Sequence, residues 1–230
     1  LDRNLGATRA DRGTGDQWRE SIGALYQWGR KDPLIQGIYT ANRSIRSIES
    51  SILHPTEHAT LSSWNYSSYW ESNNNKSLWT PKNKTIYDPC PQGYTVANID
   101  AYYELTVDAE PDNGYYAHIK SSTDAWFPLT PIIWCGGNYI EASTDVIVWS
   151  SCSSNVSFCR LRIPRDDNQY WLDVDNSAMA SPVRCMREHE INVKLTTTDV
   201  KDVTKTSAIV SGSMEYIGTA SVTELGFVYS

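Results

Sequence analysis

Phenylalanine is nearly missing from this chain: there are three, against nine tryptophans and fourteen tyrosines. Its aromatic surface therefore comes from rings that carry a polar handle, which suits half-wet surfaces and the faces of sugars. No apolar run approaches the ~18 residues of a membrane-spanning helix, so no membrane span is expected. Positive charge is short as well. Lys and Arg number 20 against 27 Asp and Glu, a net charge of -7, and no basic stripe occurs. A nucleic-acid partner is excluded on that ground, because a binder must displace counterions from phosphates. The five cysteines, at 90, 135, 152, 159 and 185, show none of the CxxC spacing of zinc or redox sites. There is no Gly-Lys-Ser/Thr phosphate loop, no Gly-x-Ser-x-Gly elbow and no dinucleotide fingerprint. The reading is non-enzymatic, with no cofactor and no metal, although the distant carboxylate pairs of glycoside hydrolysis leave no local signature.

At 230 residues the chain can bury a real core in one large or two small domains. Its organising stretch is Tyr87–Leu105, YDPCPQGYTVANIDAYYEL. Pro89 and Pro91 fix φ around Cys90, Gly93 offers a left-handed position, and the run reads as a rigid turn. A short amphipathic helix is expected next, with Ile99, Tyr102, Tyr103 and Leu105 on one side and Asn98 or Asp100 as N-cap. With no histidine nearby in sequence, Cys90 reads as a staple rather than a nucleophile. Leu1–Ala7 looks like a strand entering a glycine turn, and Thr8–Trp18 like a polar loop. Ile22–Gly29 is a buried helix turn or strand bounded by glycines. Lys31–Lys84 is long, polar and irregular, and loops of that length usually carry function or pack on themselves.

From Trp126 onward the pattern is sheet-like. Tyr139–Ile140, Val146–Ser150, Phe158–Ile163 and Tyr170–Val174 are short β-branched and aromatic runs between turn clusters, an antiparallel meander, with Ala180–Arg187 as the final strand. After about Glu188 the composition turns Thr/Val-rich. Alternating runs at Val193–Thr197, Ala208–Gly212 and Leu225–Ser230 read as the first strands of a β-sandwich. The expected fold class is α+β, with short helices and a mainly antiparallel sheet over residues 1–188, then a partial β-sandwich over 191–230. A chain that starts and stops inside apparent strands, with neither initiator Met nor signal peptide, reads as a piece of a longer exported protein.

Six motifs occur in order: DRNLGA at Asp2–Ala7, LYQWGRKDP at Leu25–Pro33, LWTPKNKTIYDPCPQGYTV at Leu78–Val96, WFPLTP at Trp126–Pro131, VWSS at Val148–Ser151 and PVRCMRE at Pro182–Glu188. Together they make Leu1–Glu188 resemble the Fibrobacter succinogenes major paralogous domain of exported Bacteroidota proteins. Ala97, where that family often has Pro, and IIWCGG after Pro131 depart from its pattern. The resemblance implies a C-type-lectin-like architecture in which one helix is stapled to the last strand, with Cys90 and Cys185 as the structural disulfide. Such a bridge closes a loop of about 95 residues and contributes roughly 4–5 kcal/mol by chain-entropy bookkeeping. It also implies an extracellular, outer-membrane-associated location, often in lipoproteins, and an adhesion or glycan-related role without catalytic residues. The tail from Ile191 resembles a fibronectin type III or immunoglobulin-like module.

Trp64, Tyr66, Tyr69, Trp70 and Trp79, interleaved with Asn, Ser and Glu, are the candidate ligand-binding residues: a flat ring covers the C–H face of a pyranose while polar neighbours pair with its hydroxyls. In a loop this long some of these rings must anchor it. The ligand expected is a glycan or a host or mucin surface. The alternative is an accessory lipoprotein docked to an outer-membrane transporter, or a fimbrial subunit. Cys152 and Cys159 flank SSNVSF and can cross-link a hairpin, leaving Cys135 free; Cys135 with either of them is the competing pairing. Glu110, Asp112, Asn113, Asp173, Asp175 and Asn176 have the oxygens calcium needs, but turn chemistry explains both acidic stretches, and calcium is the weaker reading. His54 and His58 are four apart without a zincin glutamate or a third ligand, and a solvated pair is expected. Five Asn-x-Ser/Thr sequons begin at Asn42, Asn65, Asn75, Asn83 and Asn155, and the resemblance to bacterial proteins implies that they are chance products of an Asn/Ser-rich composition.

Overall fold

Short strands in small, mostly antiparallel sheets build the fold, with few helical turns. The computed structural model describes residues 1–13, 15–34, 39–62, 69–73, 75–81, 84–103, 107–109, 115–119, 125–140, 145–151, 158–165, 169–188 and 192–217. The chain divides into two compact units, Leu1–Arg187 and Glu188–Ser230.

The first half carries α1 (Arg19–Ile22), β1 (Leu25–Gln27), β2 (Thr40–Asn42), α2 (Ile48–Leu53), β3 (Glu57–Ala59) and β4 (Tyr94–Val96). Then come β5 (Val107–Ala109), β6 (Tyr116–Ile119), β7 (Ala125–Pro128), β8 (Ile132–Ile133), β9 (Tyr139–Ile140) and β10 (Asp145–Trp149). The unit closes with β11 (Phe158–Pro164), β12 (Trp171–Asp175), β13 (Ala180–Pro182) and β14 (Cys185–Arg187). Its sheets run β1-β13-β8-β9, β5-β6-β7 and β10-β11-β12, with pairs β14-β4 and the parallel β2-β3. Ile22–Gly29 resolves as a strand, because Gly23 (φ 78°) and Gly29 (φ 82°) supply left-handed turns on either side of Leu25–Gln27. The final Ala180–Arg187 strand is split at Val183 and Arg184: β13 joins one sheet and β14 another.

The Cys90–Cys185 disulfide is present. What it fastens differs from expectation. Gly93 (φ 79°) turns the chain into strand β4, and the helix shrinks to one 3-10 turn, Ile99–Tyr102. Asn98 makes no side-chain cap there; its Nδ2 donates to Asp100 Oδ2 at 3.0 Å, and Tyr103 returns to an extended conformation (φ -65°, ψ 146°). The disulfide therefore ties a turn to β14, whose partner strand is β4, with Cys185 opposite Val96. Buried Asp88 organises that turn. Its Oδ1 accepts from Cys90 N (2.8 Å) and Lys84 Nζ (2.7 Å), its Oδ2 from Val96 N (2.9 Å), so two otherwise orphaned amides are satisfied by one carboxylate.

Sheet β10-β11-β12 separates two hydrophobic clusters. Along β10, Ile147 and Trp149 point into the first, and Val146 and Val148 into the second, as the two-residue period of a strand requires. The second cluster adds Leu161, Ile163, Phe127, Ile119 and Tyr102. The first is built on four buried tryptophans, each donating its indole N–H to a backbone carbonyl: Trp28 to Ser150 O, Trp70 to Trp28 O, Trp79 to Tyr87 O and Trp149 to Tyr26 O, all at 2.9–3.0 Å. Burial of large rings with their one polar atom satisfied is the arrangement in which tryptophan stabilises a core most.

Buried Arg30 orders the segment around α2. Its guanidinium donates to Ser51 O (3.2 Å), His54 O (2.8 Å), Glu57 O (2.6 Å) and Gln27 Oε1 (2.8 Å), satisfying carbonyls at the end of the helix. Burial lowers its pKa to about 10, which leaves it charged at neutral pH. Arg184, also buried and lowered to about 10, donates to Trp126 O at 2.8 Å and lies 3.6 Å from the Phe127 ring centre.

The second unit, taken by itself, holds β15 (Asn192–Lys201) and β16 (Ile209–Ile217), an antiparallel pair whose register shifts between Thr197 and Asp199. Thr204 and Ser207 close the connecting turn through Thr204 N to Ser207 O at 2.7 Å and Ser207 N to Thr204 Oγ1 at 2.9 Å. Leu225–Ser230 lies outside the described residues.

Candidate functional site

One tryptophan among those described stands well exposed: Trp171, 52% accessible, at the start of β12. Its orientation follows from strand alternation. Leu172 packs against the second cluster, so Trp171, Asp173 and Asp175 share the opposite face. In the ladder with β11, Trp171 stands opposite Arg162 and Asp173 opposite Arg160. Ring and charges thus form two rows on one face of the sheet.

The charges are locked in pairs. Arg162 Nε donates to Asp145 Oδ2 at 2.7 Å, with the Arg162 side chain still 41% accessible. Arg160 grips Asp173 with two bonds, Nε to Oδ1 at 2.6 Å and Nη2 to Oδ2 at 3.2 Å, and reaches Asp175 with Nη1. Burial by itself would lower the Arg160 pKa, but the bond to Asp173 and the charges of Asp175, Asp173 and Asp145 hold it above the ordinary value. Burial pushes the Asp175 carboxyl up, against the pull of Arg160. The outcome is an exposed indole beside a guanidinium that already has its orientation fixed, a surface able to stack on an apolar ring face and to donate to its oxygens.

The expected ligand residues fare differently. Trp70 and Trp79 are corrected: both lie in the first core cluster with their indole nitrogens committed to carbonyls, so neither ring faces a ligand. A long polar segment needs apolar anchors, and these rings are its anchors. Tyr69 is half-buried, with Lys76 Nζ 5.9 Å from its ring centre. Trp64 and Tyr66 lie outside the described residues.

The calcium alternative loses half of its ligands. Both oxygens of Asp173 and one of Asp175 are taken by Arg160, Asp175 Oδ1 accepts from Asn176 N at 2.7 Å, and Asn176 Oδ1 accepts from Ala178 N at 2.9 Å. Glu110, Asp112 and Asn113 lie outside the described residues. Among those described, no group of three or more His, Cys, Asp or Glu is arranged to hold a metal.

The histidines are not a solvated pair. His54 Nδ1 lies 2.9 Å from Glu57 Oε1, whereas His58, in β3, is fully buried with Nε2 2.6 Å from Ala178 O. A carbonyl accepts, so Nε2 carries the proton, and desolvation lowers the pKa to about 4. Cys135 is free and buried, its thiol pushed up by desolvation first and by Asp175 second. Cys159 is disulfide-bonded. Cys152 lies outside the described residues.

Trp171 was reachable from sequence. WLDVD alternates ring and carboxylates with Leu172 and Val174, which places the indole on the charged face of a strand. No family model, no curated protein and no solved structure matches this chain.

Proposed function

We propose that the chain is a non-enzymatic binding module of a bacterial cell surface that recognises glycan through Trp171. The observation that carries this reading is the exposed indole on β12 opposite Arg162, whose guanidinium is held by Asp145. A pyranose laid on the indole buries C–H surface that water would otherwise hydrate, and the neighbouring charged row supplies directional partners for its hydroxyls. The reading takes the 1–188 region as a C-type-lectin-like relative of the Fibrobacter succinogenes major paralogous domain, exported to the outer surface, and residues 191–230 as the opening strands of a fibronectin type III or immunoglobulin-like sandwich. The ordered motifs and the Cys90–Cys185 staple support that assignment.

A glycan array with the whole chain, followed by calorimetry on the best ligand, tests the proposal. Trp171→Ala is expected to weaken binding by about tenfold or more, in line with the loss of one ring contact. Unchanged binding in that variant removes Trp171 from the site.

A second reading is favoured by Ile52 and Leu53, 56% and 77% accessible, on α2. Exposed aliphatic side chains at adjacent positions suit docking to a protein, as in an accessory lipoprotein of an outer-membrane transporter or a fimbrial subunit. Co-purification from native membranes that is lost in Ile52→Ser/Leu53→Ser supports assembly over free ligand capture.

A further inference from the structure

Arg160 and Arg162 are two apart on β11, the central strand of β10-β11-β12, so both lie on the face that bears Trp171. Their states differ. Arg160 is saturated: its side chain is buried, and Nε, Nη1 and Nη2 all donate to Asp173 or Asp175. Arg162 is 41% accessible in its side chain and, among the described residues, makes one bond, from Nε to Asp145 Oδ2 at 2.7 Å. A guanidinium has five N–H donors, so the four on Nη1 and Nη2 stay open to solvent.

The sheet order places that open edge. Asp145 lies on β10 and Trp171 on β12, on opposite sides of β11. The bond to Asp145 therefore draws the guanidinium toward β10, away from the indole across the ladder. Neighbouring strands are about 4.8 Å apart, so the charged head and the ring stand roughly one to two strand spacings from each other, and the indole face is left clear. A pyranose stacked on the ring spans that gap with one substituent on its rim.

The ion pair also has a polarity. The Asp145 side chain is 11% accessible, so the cationic member is the one turned to solvent. In the neighbouring pair the outward member is Asp173, but both of its oxygens are held by Arg160. The unused donors beside the ring are thus cationic, and their planar arrangement fits a carboxylate in a two-bond fork.

We infer that the sugar bound at Trp171 is acidic: a pyranose carrying a carboxylate, as in a uronic acid, with its C–H face on the indole and its carboxylate on the Nη edge of Arg162. This inference rests on the glycan reading of Trp171 and narrows it. In a chain of net charge -7 the overall field does not draw an anion in, so the preference comes from the local fork. That fork is already ordered, because β11 is paired on both sides and Nε is held by Asp145.

The test uses the full chain in calorimetry and NMR titrations, with trigalacturonate and trimannuronate as probes, each beside its fully methyl-esterified form. The ester keeps the pyranose and removes the charge. The acid form of at least one probe is expected to bind about tenfold or more tighter than its ester, as loss of a charge-assisted pair requires. In the wild type that acid is expected to shift the Trp171 indole N–H and the Arg162 amide, a readout that depends on no variant. Arg162→Gln, with its unfolding midpoint measured to show that it is folded, brings the acid down to the affinity of the ester, and Trp171→Ala weakens both forms. Equal affinity for acid and ester, with both weakened in Trp171→Ala, overturns the acidic assignment and leaves the glycan reading standing. A preference undiminished in Arg162→Gln, shifts confined to other surfaces, or no binding of either acid also overturns the assignment. The glycan reading itself falls only if the array yields no ligand that depends on Trp171.

Discussion

Trp79 and Trp171 are the same residue type in two regions of one unit, and they have opposite fates. Trp79 comes from a polar, irregular stretch rich in Ser, Asn and Lys, yet it is fully buried with its N–H on Tyr87 O. Trp171 begins a regular strand and stands half in water. The polarity of the surrounding sequence therefore misreports burial. An irregular segment has few backbone ladders to hold it, so its large rings become its attachment points. A regular strand is held by its ladder and by Leu172, leaving the alternate ring unneeded by the core.

The comparison can be broken most severely at the staple, which lies in the same cluster as Trp79. Cys90→Ala with Cys185→Ala frees a loop of separation 95, and an unfolding free energy lower by about 4–5 kcal/mol is expected in urea titrations. A smaller loss would mean that the cluster around Trp28, Trp70, Trp79 and Trp149 constrains the chain without it. Single substitutions then contrast the two rings directly. Trp79→Ala should cost about 3–5 kcal/mol through the cavity and the unpaired carbonyl it leaves. Trp171→Ala should stay within about 0.5 kcal/mol in stability while weakening glycan binding by about tenfold or more. Equal destabilisation by both would remove the distinction between anchor and platform.

Acid sharpens the contrast, with a smaller effect. His58 donates to Ala178 O, a carbonyl of the Trp79 cluster, and its pKa falls from 6.5 to about 4 through burial, with Arg30 adding repulsion. Between those values the unfolded chain takes up a proton that the folded chain refuses. The stabilisation is thus full above pH 6.5 and drains away as pH falls toward 4, by about 3 kcal/mol at most. Denaturation midpoints measured from pH 7 to 4 should show that slope in the wild type and a flatter one in His58→Gln. Parallel slopes would assign the acid sensitivity to other groups.

Much of the strand pattern was legible. β9, β10, β11 and β12 lie within a residue or so of the alternating runs, because β-branched and aromatic periodicity is a local property. The short helix expected after Cys90 is instead a single 3-10 turn. Ile99, Tyr102, Tyr103 and Leu105 have helical spacing, but Ala97 N bonds Arg184 O at 2.9 Å and Ser151 N bonds Ala97 O at 3.0 Å, so the chain entering that segment is already committed to extended pairing. In the candidate site, Trp171 carried a readable alternation, whereas its partner Arg162 is named only by the register between β11 and β12.

By itself the sequence determined the charge balance, the lack of any apolar run long enough to span a membrane as a helix, the turn at Pro89–Gly93 and which residues alternate along each strand. These follow from composition and from the conformational limits of proline and glycine, which act over a few neighbours. Only the tertiary structure decided which tryptophans anchor and which face water, that Asp173 and Asp175 are taken by Arg160, and that His58 is buried and neutral at physiological pH. Burial and pairing depend on groups brought together from distant positions, such as Gln27 with Ala178 and Trp28 with Ser150, and no local pattern encodes those contacts.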